Sequence, residues 1–551
     1  MPNVSVANRV AEARGQRDEI QGRGATPSPM HPTRRWLALG VLCLSLLIVT
    51  LDNTVLNVAL PTLVRDLGAT STDLQWIVDA YVLVFAGLLL VSGSIADRFG
   101  RKWAFVAGLV GFGGCSVWAA FSGSVGMLIA ARASMGVGGA LIMPSTLALI
   151  TSMYTETRER QRAFGIWAAT TGAGVALGPI IGGLLLAHFG WGSVFLINVP
   201  IAAVALGLAF PFIPNSRNPR AGRPDLLGAL LSISGLGFLL WAIIDAPVHG
   251  WASPTVIGAG SAGVGVLVCF AVWERFASQP MLRLSFFRNR EFSGAVLSVS
   301  MVMFGLFGAL FILTQFLQFD LGYTALETGI RLLPAAGSII LVAPFASLLD
   351  RAFGTRVVVG AGLLLIAGGL WQIGAATVAT TYVGTLAGMI MLGVGAALVI
   401  PSTTSAVMGT LPADHTGIGA ATNSAFLQIG GALGVAVIGS QLSTRYQGRM
   451  TAALAPYHLS ATMNDTILGS VGGALEFAAR EGGTMGEMLA GWARAAFVSG
   501  MDLALVTGAL VSVAAALLAL LALPGRTRRG GPVLPRVVPP PSPPDVGGRQ
   551  S

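Results

Sequence analysis

Two aspartates and an arginine, Asp52, Asp79 and Arg132, sit inside runs that are otherwise apolar enough to cross a bilayer. Intramembrane charge is costly, so such groups mark proton relays and ion paths. Two carboxylates and one guanidinium leave one formal negative charge. A buried carboxylate without a cationic partner favours its neutral, proton-bearing form; pairing with Arg132 favours the charged form of the partner. A proton carrier needs a group whose charge follows its surroundings. The competing reading is a fixed structural ion pair, and the sequence does not say which aspartate pairs and which titrates.

The helices that must hold these groups set their depth. At 1.5 Å per residue, Asp79 lies about 6 Å below Gln75, Arg132 about 9 Å below Gly126, and Asp52 about 9 Å from the outer end of its helix. All three therefore fall at similar depth in the outer half. In "IVTLDNTVLNVALP" (48–61), Thr50, Asn53, Thr54 and Asn57 gather on one helical face while Asp52 points away. A helix polar on two sides has little surface left for lipid, so the first helix belongs inside the bundle.

The rest of the chain fits that setting. Its 551 residues are 54% hydrophobic and 10% charged, which excludes a soluble multi-domain enzyme. Continuous apolar runs of about twenty residues read as spanning helices and exclude an alternating barrel. Fourteen are expected, at 36–58, 75–95, 103–122, 126–149, 162–186, 191–213, 225–245, 254–276, 291–317, 329–349, 357–376, 383–408, 417–440 and 497–523. The net charge of +9 does not indicate nucleic acid, because the basic residues sit in alternate loops, as the positive-inside rule requires. Arg98, Arg101 and Lys102; Arg158, Arg160 and Arg162; Arg217, Arg220 and Arg223; Arg275, Arg283, Arg288 and Arg290; and Arg351 and Arg356 fall on one side. Both tails share that side, with Arg9, Arg14, Arg17, Arg23, Arg34 and Arg35 in one and Arg526, Arg528, Arg529, Arg536 and Arg549 in the other. The opposite side holds Arg65, Arg445, Arg449, Arg480 and Arg494. Both termini are thus expected in the cytoplasm. No cleavable signal peptide is evident, since the first helix is too long for a signal core. The single lysine, Lys102, in an Arg-, Ala- and Gly-rich chain suggests a bacterial source.

An internal repeat organises the helices. "GVGGALIMPST" (136–146) returns as "GVGAALVIPST" (393–403), "ADRFGRK" (96–102) returns as "DRAFGTR" (350–356), and Trp36 and Glu291 open corresponding helices. A near-constant offset means two homologous halves. The expected architecture is an all-α integral membrane protein of two pseudo-symmetric six-helix halves plus two inserted helices. Its divisions are a disordered N-terminal tail (1–35), a first half (36–213), a linker with the inserted pair (214–280), a second half (281–523) with a long outer loop at 441–496, and a disordered C-terminal tail (524–551). Two such halves around a midplane cavity are the plan of alternating-access transporters. The second half lacks the charged triad, since Arg132 maps to Met389 and Asp52 falls near Phe307.

Three strings carry a family resemblance. "GSIADRFGRK" (93–102) resembles the most diagnostic signature of the major facilitator superfamily. Gly93 would allow close helix approach and Gly100 a tight turn. Arg98, Arg101 and Lys102 would hold the loop inside, and Asp97 would accept from arginine or face a helix N-terminus of the other half, making a conformational latch. "LDNTVLNVALP" (51–61) resembles a signature of the fourteen-helix drug:proton antiporter branch. "GAGVALGPIIGG" (172–183) resembles that branch's antiporter signature. Pro179 would bend this helix, and Gly174, Gly178, Gly182 and Gly183 would admit a close neighbour. Arg132 lies in a string similar to the family's helix-four signature, with Met135 where glutamine is usual.

The resemblance implies proton-coupled export of hydrophobic or cationic small molecules, a drug or antibiotic:H⁺ antiporter working by alternating access, with antibiotic self-resistance one use. The membrane potential supplies about 2.3 kcal/mol per charge per 100 mV. The alternative is a proton-coupled symporter or facilitator for a polar metabolite. Candidate cavity residues are Asn53, Asn57, Gln315, Gln318, Asn423 and Gln428. Asp245, Glu327 and Arg331, at outer helix ends, are expected to reach water or snorkel toward it, with no transport role. An enzyme is not expected: His31, His188, His249, His415 and His458 are scattered, and no metalloprotease, hydrolase or Walker A string occurs. No cofactor or metal is expected beyond the driving proton gradient. The expected partners are a small-molecule substrate, protons and the lipid bilayer of a bacterial plasma membrane, with no nucleic acid and a monomeric state.

Overall fold

The computed structural model describes residues 32–154, 156–217, 222–411, 416–457 and 459–524. Arg9, Arg14, Arg17, Arg23, Arg220, Arg526, Arg528, Arg529, Arg536, Arg549, His31, His415 and His458 lie outside them. Fourteen helices in the described residues are long and apolar enough to cross a membrane. They are α1 Thr33–Leu67, α2 Ser71–Phe99, α3 Arg101–Ala120, α4 Val125–Met153, α5 Arg158–His188, α6 Ser193–Phe212 and α7 Leu226–Ile244. The others are α8 Pro254–Phe276, α9 Arg290–Asp320, α10 Ala325–Phe353, α11 Thr355–Gly374, α12 Tyr382–Gly409, α13 Ile418–Leu454 and α14 Gly483–Ala522. No strand occurs among the described residues.

Local chemistry sets the helix ends, and it repeats. Thr70 and Asp73 form a capping box at the start of α2; Thr324 and Glu327, 254 positions on, form another at the start of α10. The sharp turns into α3 and α11 use Gly100 (φ 112°) and Gly354 (φ 88°), conformations that other residues rarely adopt. Gly136 lies against the Tyr81 carbonyl as Gly393 lies against that of Ala335, and Gly138 meets Gly108 as Gly395 meets Gly362. Helix pairing repeats as well. α1 packs on α5 and α6, α2 on α4, and α3 on α4 and α6; α9 packs on α13 and α14, α10 on α12, and α11 on α12 and α14. The inserted α7 and α8 pack on each other, and α7 also touches α2 and α13.

Several expectations need correction. The N-terminal tail was expected to reach residue 35, but the first helix already includes Arg34, which donates to the Pro211 carbonyl (2.6 Å), and Arg35, which pairs with Glu159 (2.9 Å). The long loop at 441–496 is mostly helix. α13 continues because Leu442, Tyr446, Met450 and Leu454 repeat every fourth residue and bury one stripe. Two short helices, Ala461–Gly469 and Val471–Glu481, precede α14. α10 starts at Ala325 rather than 329 because the capping box fixes it there. Arg331 keeps part of its side chain exposed, as expected, and its guanidinium also stacks 3.7 Å from the Tyr323 ring.

The contacts that tie α1–α6 to α9–α14 lie at the end opposite the basic loops. Gln318 donates to the Val58 carbonyl (3.0 Å), and Ser440 donates to Gln75 (3.3 Å). Gly183 of α5 leaves no room for a side chain beside Ala325 and Leu326, nor does Gly329 beside the Pro179 carbonyl. Gly472 sits between Val64 of α1 and Phe319 of α9.

Candidate functional site

The three charged residues separate into two settings. Asp52 and Arg132 form an ion pair inside the first six helices, with 2% and 1% of their surfaces exposed. Asn198, just after the break between the two segments of α6, donates to the second Asp52 oxygen (3.0 Å) and to Ser116 of α3 (3.3 Å). Arg132 also donates from Nε to the Ile77 carbonyl of α2 (3.1 Å). Its guanidinium lies 4.5 Å from the Tyr81 ring and 6.0 Å from that of Phe195. Five helices therefore meet at one charge-paired, aromatic-walled box. A buried pair satisfied on both sides in this way is a rigid polar anchor.

Asp79 stands outside that box. It is 0% exposed, and neither carboxyl oxygen has a hydrogen-bond partner among the described residues. On α2, Gln75, Asp79, Val82 and Ala86 share a face, whereas Ile77, Tyr81 and Phe85 turn toward α4. Gln75 lies against Gly439 and Ser440 of α13. Val82 and Ala86 line a small apolar niche with Ile429, Ala432 and Leu433 of the same helix. Asp79 is bracketed between these contacts, on the seam between the two helix sets.

The strings singled out in the sequence fall as follows. Asp97 pairs with Arg101 (2.7 Å), Arg101 donates to the Ala148 carbonyl (3.2 Å), and Lys102 donates to the Phe210 carbonyl (2.8 Å). The Arg101 amide donates to the Ser216 carbonyl (2.9 Å). Arg98 is exposed. These bonds all stay on the α1–α6 side. Gly93 was expected to admit a neighbouring helix, yet nothing lies within 4 Å of the place its side chain would take. At the open basic end no second helix among the described residues reaches this position.

On α5, Gly174 and Gly178 lie directly against Thr50 and Thr54 of α1, and Gly182 lies against Val55. Thr54 also donates to the Gly174 carbonyl (3.4 Å). Gly183 and Pro179 meet α10, so α5 is clamped between α1 and α10 along its glycine stripe.

The polar cavity candidates Asn53, Asn57, Gln315, Gln318 and Asn423 make bonds within their own helices or to neighbouring ones. Asn57 donates to the Asn53 carbonyl (2.9 Å), and Gln315 to the Phe311 carbonyl (3.0 Å), each within its own helix. Gln318 is spent on the seam with α1. Asn423 donates to Thr404 (3.2 Å), and its side-chain oxygen is buried without a partner. Asn53 and Gln428 are half-buried. Sequence reasoning missed Asn198, Ser116, Gln75 and Ser440. The available signal was the same that exposed Asp52: a polar side chain inside an apolar run.

Comparison with known proteins gives these contacts a context. The model of the Major Facilitator Superfamily matches residues 42–435. The chain is 33% identical over 509 residues to the tetracenomycin C resistance and export protein of Streptomyces glaucescens, covering 91% of this chain and 94% of that one. It is 34% identical over 492 residues to the multidrug efflux pump LfrA of Mycolicibacterium smegmatis, covering 89% and 97%. A solved bacterial homolog of the human lysosomal transporter Spinster, inward-facing and unoccupied, superposes with a TM-score of 0.61 at 16% identity, covering 89% of this chain and 97% of that one.

Proposed function

The chain belongs to the Major Facilitator Superfamily, and from that premise we propose that it exports hydrophobic or cationic small molecules from a bacterial cell in exchange for protons. It is a multi-pass protein of the plasma membrane. The relatives named for resistance and export support the direction of transport and the substrate class. The distribution of basic loops supports a cytoplasmic basic end with both termini on that side, so the sealed end faces outward. In this state the substrate route opens to the cytoplasm, and no cofactor enters the cycle.

The observation that carries the coupling is the unpartnered Asp79 on the α2–α13 seam. An isolated ionised carboxylate in a dry interior is far costlier than the neutral acid, so Asp79 holds a proton while α13 covers it. The Asp52–Arg132 pair is already charge-balanced and stays fixed. When the two helix sets rock apart at the sealed end, α13 withdraws from Asp79 and water reaches the carboxyl. Asp79 there takes up a proton from outside, and once the seam closes again, substrate arriving from the cytoplasm displaces that proton to the cytoplasmic side, so protons move inward as substrate leaves. Charge on Asp79 alternates with the conformational cycle, and substrate and proton are coupled through that change.

Everted vesicles test the proposal. With a preset pH gradient, a hydrophobic cation such as ethidium should dissipate the gradient through the wild-type protein. Asp79→Asn should bind the dye but abolish gradient dissipation. Full dissipation by Asp79→Asn at equal expression contradicts it.

A further inference from the structure

The basic end of the inserted helix pair carries a cavity unrelated to the charged box or the seam. It has a volume of about 620 Å³ and lies where α8 ends and a 3₁₀ turn, Leu284–Arg288, leads into α9. Arg275, Arg283 and Arg288 line it together with Ser285, Phe276 and Glu274. Three guanidinium groups against one carboxylate make it a cationic site. The volume falls within the usual range for small-ligand pockets, about 300–1,000 Å³.

Glu274 builds the cavity. It is 3% exposed, and one carboxylate oxygen accepts from the Leu282 amide (3.0 Å). That bond folds residues 277–282 back over the end of α8 and brings Arg283 and Arg288 to the same opening as Arg275. The neighbouring linker is pinned as well, since the Arg223 amide donates to the Gln279 side chain. Trp273 donates to both Asp225 oxygens (3.0 Å each), joining the ends of α7 and α8.

The apolar surroundings fix the depth of the site. Val272 and Phe276 are 52% and 77% exposed on the outer flank of α8. Among the described residues α8 packs chiefly on α7, so its other faces meet lipid. A cationic pocket of this kind at the foot of a lipid-facing helix sits at the level of phospholipid headgroups. Planar guanidinium groups grip phosphate oxygens in pairs, and Ser285 adds a hydroxyl donor.

We propose that this cavity binds the phosphate-bearing headgroup of an anionic phospholipid, with Arg275 and Arg288 on the phosphate and Phe276 along the acyl chains. The lipid bridges α8 to the segment that opens α9, tying the inserted pair to the second set of helices. The same phosphate chemistry is present in a free sugar or glycerol phosphate, and the apolar flank selects the membrane source.

The full-length protein, purified and placed in nanodiscs of defined composition, tests the proposal. Retained lipid is read by native mass spectrometry after release into detergent. Phosphatidylglycerol should be retained and phosphatidylcholine lost. Arg275→Gln/Arg288→Gln, both on exposed side chains, should lower phosphatidylglycerol retention at least fivefold. Arg158→Gln/Arg162→Gln removes the same charge from the same end of the molecule and should leave retention unchanged. Equal loss in both double variants would reduce the effect to bulk electrostatics and overturn the site, as would equal retention of the two lipids. Displacement of the lipid by millimolar glycerol phosphate would place the ligand in solution and overturn the membrane source.

Discussion

At the residue scale, three membrane-embedded charges divide into a pair and a single. Asp52 was legible as unusual from its position in an apolar run, and so were Asp79 and Arg132. The sequence did not reveal that Arg132 turns to Asp52, because helix register gives the direction of a side chain but not which neighbouring helix stands there. Asn198 occupies the Asp52 oxygen that Arg132 leaves, and among the described residues no equivalent donor reaches Asp79. Removing one member of a buried pair strands the other. Arg132→Ala should therefore destabilise the protein by about 3–5 kcal/mol, measured by unfolding in detergent. Adding Asp52→Asn to Arg132→Ala should recover part of that loss, since the stranded charge is gone; additive losses would contradict the pairing. Asn198→Leu should cost about 1.5–3 kcal/mol, the range for a hydrogen bond to a charged group, and should leave the number of exchanged protons unchanged.

At the element scale, helix number and type were readable because each span is a long continuous apolar run. Ends were less so. The start of α10 depended on the Thr324–Glu327 box, and the extension of α13 on a stripe carried past the apolar run by Tyr446 and Met450. The glycines of α5 were legible as a stripe, but their neighbours were not: the stripe meets α1 on one side and α10 on the other. This makes α5, together with the α2–α13 seam, one of the elements on which the two helix sets bear. A side chain at Gly329 or Gly183 would occupy backbone of the opposing helix. Gly329→Val should disfavour the sealed end by about 1–3 kcal/mol, the usual cost of overpacking. Spin labels on opposite helix sets at that end should show a longer distance distribution and transport should fall. An unchanged distribution would mean that this crossing does not hold the sealed state.

At the scale of the whole molecule, the repeat was visible in the strings at 136–146 and 393–403, and the structure extends it beyond them to the capping boxes that open α2 and α10 and to the pairing of the helices. The conformational state was not legible at all, because it depends on which inter-set contacts form and not on which residues are present. In this state the seam closes at Gln75–Ser440, Gln318–Val58 and Gly183–Leu326. A cysteine pair at Gln75 and Ser440, in a background with Cys43, Cys115 and Cys269 replaced, should cross-link on oxidation. Oxidation should stop transport and reduction restore it; undiminished transport by the cross-linked protein would exclude opening at this seam. The alternating exposure of Asp79 depends on that opening, and proton release reads it directly. Purified protein in weakly buffered detergent solution, given saturating substrate at neutral pH, should release a proton in the wild type and in Asn198→Leu but none in Asp79→Asn. Wild-type release from Asp79→Asn, with substrate binding intact, would contradict the assignment of the coupling proton to Asp79.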